Sequence, residues 1–146
     1  MDYRVGHINR VFFARFEKGE DLSAGLNDLA RREWIDQALV LVLGSMTQAR
    51  LVVGPKEMVA RPEPLWAAFT GGREVLGVGT LVPGPEGPSI HLHLAAGRGG
   101  EDPLIGCLRE DGQVYLVAEA VILELKGFIA QRELDQVSGM NLLRLR

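Results

Sequence analysis

With 146 residues, 47% of them hydrophobic and 24% charged, the chain has the composition of one globular domain spanning residues 1–146, which excludes a disordered tail or a two-domain enzyme. Sixteen Lys and Arg against nineteen Asp and Glu give a formal net charge of -3, without the positive footprint by which nucleic-acid-binding domains grip phosphates, so direct DNA binding is not expected. A single cysteine, an opening Met1-Asp2-Tyr3-Arg4 without an apolar leader, and a longest clean apolar run of only Ala38 to Leu43 give the expectation of a soluble, cytoplasmic protein with no membrane span.

The first element is a strand over Asn9 to Phe16, where Val11, Phe12, Phe13 and Phe16 concentrate β-forming residues; its apolar character assigns it to the core. From Asp21 onward Leu22, Leu26, Leu29, Ala30 and Trp34 recur at helical spacing, with Asp21 or Ser23 as the N-cap. Ala38 to Leu43 is continuously apolar, as in a strand buried on both faces, and Gly44-Ser45 marks a sharp turn after it. Strands follow at Ala49 to Val53, Leu65 to Thr70 and Glu74 to Val82, with a short edge piece at Lys56 to Arg61. Pro83-Gly84-Pro85-Glu86-Gly87-Pro88 reads as a loop that cannot ladder into a sheet. Ile90 to Ala96 and Leu104 to Arg109 form a hairpin about the Gly97–Pro103 loop, and Val114 to Leu125 is a long central strand. The tail from Phe128 to Leu145 packs as a flap or an interface arm. Together these elements make an α+β domain with many strands and one or two helices.

One constellation carries chemistry. Side chains alternate along a strand, so His91 and His93 in Ile90-His91-Leu92-His93-Leu94 share a face. If the following loop folds symmetrically about Gly100, the numbers of opposed partners sum to 200. Cys107 then faces His93 and Arg109 faces His91. Two neutral imidazoles and a thiolate are preferred zinc ligands, and three protein ligands leave a fourth position for water. The alternative is a polar strand face beside a small buried thiol. Glu119, an acid within the otherwise apolar Val117-Ala118-Glu119-Ala120-Val121, is a catalytic candidate as a proton carrier, or else half of a buried ion pair; the structural role is preferred. Gly77-Val78-Gly79 lacks the third glycine of a dinucleotide fingerprint and reads as strand glycines.

The order of Arg10-Val11-Phe12, Gly19-Glu20-Asp21-Leu22, Gly44-Ser45, Ile90-His91-Leu92-His93-Leu94, Gly106-Cys107-Leu108, Ala118-Glu119-Ala120-Val121-Ile122 and the closing Arg132-Glu133-Leu134-Asp135 with Ser138-Gly139 resembles the plant and prokaryote conserved (PPC) domain family, from about Arg10 to Leu143. The resemblance implies an α+β domain with a strongly curved, mostly antiparallel sheet, one main helix packed on it, and assembly as a homotrimer. It also implies a metal site, with His91 and His93 matching the family's His-x-His pair and Cys107 standing where the pattern has a third histidine. The functional expectation is ligand binding or an unassigned zinc-dependent reaction. The alternative is a regulatory or interaction module in DNA-binding complexes, without metal chemistry. The chain has no Arg-Gly-Arg-Pro core of the kind found in the family's plant members, and Glu101-Asp102 after Arg98-Gly99-Gly100 would repel phosphate.

Overall fold

A computed structural model describes the chain from Met1 to Arg146. The elements run β1 (His7–Glu17), α1 (Leu22–Glu33), β2 (Ala38–Pro55), β3 (Pro64–Gly84), β4 (Gly87–Gly97), β5 (Leu104–Lys126), β6 (Ala130–Leu134) and β7 (Asn141–Leu145). The first five strands form one sheet in the order β1-β5-β2-β3-β4, and β4 pairs with β5 as well, so the ladders run in a ring through β2, β3, β4 and β5. Every ladder is antiparallel. No helix is long and apolar enough to cross a membrane.

Several expected breaks are bulges inside longer strands. Gly44 does not turn the chain. It sits at φ +146° inside β2, and a Cβ there would stand 2.5 Å from Ala118 Cα, so glycine lets β2 lie against β5. Gly71 and Gly72 fall at the register shift between Met46↔Arg73 and Gln48↔Thr70. Asp111, at φ 55°, and Gly112 fall where β5 shifts against β2. An extra residue on one strand bends it without ending it, and this is how apparently separate segments fuse into β2, β3 and β5. The Pro83–Pro88 segment does ladder, pairing Pro83 with Pro88 and Gly84 with Gly87. The β2–β3 ladder stops at Ala38↔Leu81, so this end of β3 has a partner on one side only, where a missing N–H is tolerated. Lys56 to Arg61 is an exposed bend, not an edge strand.

α1 is capped by Asp21, whose side chain accepts from Ala24 N at 2.8 Å, and it buries Leu22, Leu26 and Ala30 against the sheet. Trp34 is not part of that stripe: it adopts the left-handed C-cap conformation at φ 55° and is exposed. The core under α1 takes alternate residues of the strands, among them Val40, Val42, Leu92, Leu94, Ala118, Ala120 and Ile122. The other residues of the same strands point away from α1. Leu41 and Leu43 are therefore exposed, and β2 is not buried on both faces. β1 likewise is a strand but not a core one, since Val11 and Phe13 are 62% and 70% exposed and only Phe16 is buried. The tail is a β6–β7 hairpin whose first strand lies against β3.

Candidate metal centre

β4 places the two histidines. Leu92 and Leu94 go into the core, so His91 and His93 point to the outer side of the sheet. The β4–β5 ladder begins at His93↔Cys107 and continues through Ala95↔Ile105, the register expected for a hairpin about Gly100. It extends no further toward Arg109, which therefore does not sit opposite His91 in a ladder. β3 approaches β4 closely because it presents glycines. A Cβ on Gly79 would stand 2.6 Å from the His91 carbonyl oxygen, and one on Gly77 would stand 2.6 Å from Leu94 Cδ2.

The side chains of His91, His93 and Cys107 bring one potential ligand atom each within 4.8 Å of the others. The two Nε2 atoms are 3.2 Å apart and the rings meet edge to face at 66°. Two nitrogens bound tetrahedrally to one zinc lie about 3.3 Å apart, so the imidazole pair fits an ion as it stands. A bound nitrogen and sulfur lie about 3.6 Å apart, so closing all three ligands onto zinc draws the side chains in by about 1 Å.

The electrostatics of the cluster are cationic. Burial pushes the His91 imidazole down to about 4, with Arg132, His93 and Arg109 adding to the effect, so the ring is neutral and its nitrogens are available near pH 7. Cys107 is 4% exposed, and burial pushes its thiol up against the opposing pull of Arg109 and Arg132. Arg132, from β6, donates through Nη2 to Thr80 Oγ1 at 2.9 Å, and Thr80 is the residue directly opposed to His91. Arg132 Nε is buried without a hydrogen-bond partner. The part played by the tail was not visible in the sequence, because Arg132 reaches the site through a long-range packing contact that no local pattern encodes.

Glu119 does not join this group. It is half-buried on the outer side of the sheet and makes neither an ion pair nor a side-chain hydrogen bond, so it is not half of a buried ion pair. It lines an open apolar concavity of about 560 Å³ with Phe13, Leu41, Leu76, Val78, Ile105 and His93. The buried acid is instead Glu124, 1% exposed, which accepts from Asn9 Nδ2 and Arg10 Nε, each at 2.7 Å.

Among solved structures, the metal-containing protein of Archaeoglobus fulgidus is 20% identical, with a TM-score of 0.85 and 99% of both chains covered. A plant- and prokaryote-conserved protein of Pyrococcus horikoshii is 23% identical, with a TM-score of 0.86 over 99% of this chain and 97% of the other. A candidate DNA-binding protein of Ralstonia eutropha JMP134 is 21% identical, with a TM-score of 0.76 over 92% and 90% of the two chains. At these identities the likeness establishes the fold alone. No curated protein matches the sequence. The Plants and Prokaryotes Conserved (PCC) domain matches residues 3–126, a span that contains β1 to β5 and all three clustered ligands and stops before the tail hairpin; the chain belongs to that family.

Proposed function

We propose that this chain is a trimeric, cytoplasmic member of the family whose His91, His93 and Cys107 hold a zinc ion, for ligand binding or for a metal-dependent reaction. The observation that carries the reading is the convergence of two imidazole nitrogens, 3.2 Å apart, and a buried thiol on one hairpin. A donor set of two nitrogens and one sulfur suits a borderline-soft ion such as zinc. When bound, the ion would supply Lewis acidity at an open fourth position, with bound water less acidified than in an all-histidine site because the thiolate neutralises part of its charge. The metal-containing relative from Archaeoglobus fulgidus supports the reading.

Assembly is supported by the outer side of the sheet. Phe13, Leu41, Leu43, Leu76, Val78 and Ile105 are all exposed there, and a contiguous apolar surface of this kind marks a contact site. Elemental analysis of protein purified without a histidine tag is expected to give close to one zinc per chain. Light scattering on a size-exclusion column is expected to give about three times the 16.0 kDa chain mass. Metal-free protein that does not take up added zinc would refute the first half, and a monomer at micromolar concentration the second.

The second reading is a module of DNA-associated complexes, favoured by the Ralstonia eutropha relative. The net charge of -3 disfavours direct grip on duplex DNA, so on this reading a partner protein makes the contact. A gel shift at about 150 mM salt with submicromolar affinity would overturn that assignment.

A further inference from the structure

The surroundings of the cluster contain more positive charge than a metal site needs. Arg132 and Arg109 are the arginines that act on His91 and Cys107, and no carboxylate is among the groups that perturb either residue. Neither arginine forms an ion pair with an acid, although most other arginines of the chain do. Arg109 lies two residues beyond Cys107 and is exposed. Arg132 is the more telling of the two. Its Nη2 is fixed on Thr80 Oγ1, across the ladder from His91, while its Nε is withdrawn from water with nothing to donate to.

Enclosure of Nε fixes the plane of the guanidinium, so its remaining donors are held in place instead of sweeping through solvent. With Nε enclosed and Nη2 on Thr80, the donors left for a ligand lie at the Nη1 end of the guanidinium, where Nη1 and the second Nη2 hydrogen present parallel donors that match two oxygens of one oxyanion. Charge leads to the same ligand class. A zinc dication on one thiolate keeps one positive charge, and the two guanidiniums bring the local total to three, with no protein carboxylate among the neighbours to offset it.

We infer that the centre takes a small oxyanion, a carboxylate or phosphate group of a small molecule, held by Arg132 with Arg109 beside the His91, His93 and Cys107 cluster. The arginine pair forms the oxyanion subsite independently of the ion. Only placement of one ligand oxygen at the metal's open position rests on the zinc reading above. Thr80 is a positioning residue in this scheme, because it holds the guanidinium through Nη2 and leaves Nη1 without a protein partner.

The experiment is a titration followed by NMR of the arginine Nε–Hε groups. Chelator-treated and zinc-loaded protein are each titrated with inorganic phosphate and with acetate, at constant ionic strength set by chloride. Saturable movement of the Arg132 and Arg109 signals is expected with a dissociation constant on the order of 1 mM; followed on the Arg109 signal that remains in the variants, the affinity is weakened about tenfold or more in Arg132→Gln and less in Arg132→Lys. Saturation by phosphate alone identifies the phosphoryl class, by acetate alone the carboxylate class, and by both a general oxyanion site. Retention of the β-sheet spectrum in Arg132→Lys guards against loss of the tail hairpin as the cause. No saturable shift in either form, or unchanged affinity in folded Arg132→Gln, overturns the inference even if zinc binds. Oxyanion binding by protein that takes up no zinc overturns the metal reading and leaves this one standing.

Discussion

Gly77 and Leu94 are predicted to be energetically coupled, because each occupies the space the other would need. They are opposed in the β3–β4 ladder, Leu94 is 1% exposed, and a Cβ built on Gly77 stands 2.6 Å from Leu94 Cδ2 but 3.2 Å from the nearest backbone atom, the His93 carbonyl oxygen. Gly77→Ala alone overpacks the seam at about 1–3 kcal/mol, offset by about 0.4–1 kcal/mol from reduced freedom of the unfolded chain. Leu94→Ala alone empties a core site that a facing glycine cannot refill, which costs about 3–5 kcal/mol. In the double variant the main clash is with atoms that have been deleted, and the added methyl reoccupies part of the hole at about 0.8 kcal/mol per carbon. The double variant should therefore lose about 2 kcal/mol less than the sum of the single variants. Urea denaturation at one fixed protein concentration, with m-values checked for constancy, reads this directly. Additivity to within about 0.5 kcal/mol would refute the claim that glycine at position 77 exists to admit Leu94.

Zinc at about 100 times its dissociation constant should stabilise wild type by about 2.7 kcal/mol, a rise in Tm of roughly 5–11 °C for a chain of this size; the rise should vanish in His93→Ala and persist in Cys107→His. Because burial pushes the Cys107 thiol up while His91 stays neutral down to about 4, zinc affinity should fall by about tenfold per pH unit below neutrality, as the thiol proton competes with the metal; an affinity flat between pH 8 and 6 would contradict this. If the chain assembles as proposed, Val78→Glu, on the exposed apolar side of the sheet, should reduce the light-scattering mass from that of the proposed trimer toward one chain while leaving the circular-dichroism spectrum unchanged. Glu124 is held at about 2 chiefly by the Arg10 guanidinium; with its ordinary value near 4.5, the ionised carboxylate stabilises the fold above that pH and the contribution is lost as pH falls toward 2. Arg10→Ala should remove most of this acid-sensitive stability, visible as a shallower decline of urea midpoint below pH 4.5 than in wild type.

The features legible in the sequence were those governed by local periodicity. The helix with its Asp21 cap, the alternation along β4 and the pairing of His93 with Cys107 follow from spacings of 3.6 and 2 and from a short symmetric loop. What stayed hidden depends on partners distant in the chain. Gly44-Ser45 and Gly71-Gly72 look like turns, yet a glycine in a strand bends or admits a neighbour when flanking ladders continue, and those ladders join residues far apart in sequence. The burial of β1 and β2 departs from the expectation for a related reason. An apolar residue on a strand faces either the protein's own core or a surface suited to contact, and composition does not distinguish the two. Arg132 belonged to a tail read only as a flap or arm, and its approach to Thr80 spans 52 positions.

The ring of ladders through β2, β3, β4 and β5 is joined along its β4–β5 side by only four residue pairs, from His93↔Cys107 to Ala96↔Leu104, whereas the β2–β3 and β3–β4 sides are far longer. Backbone opening should therefore begin there, and amide hydrogens of this seam should exchange faster than those of β2. The three candidate ligands lie at the end of that same seam and all belong to one hairpin. An ion bound to them would act as a latch on the shortest side of that ring, slowing its breathing without altering the core beneath α1.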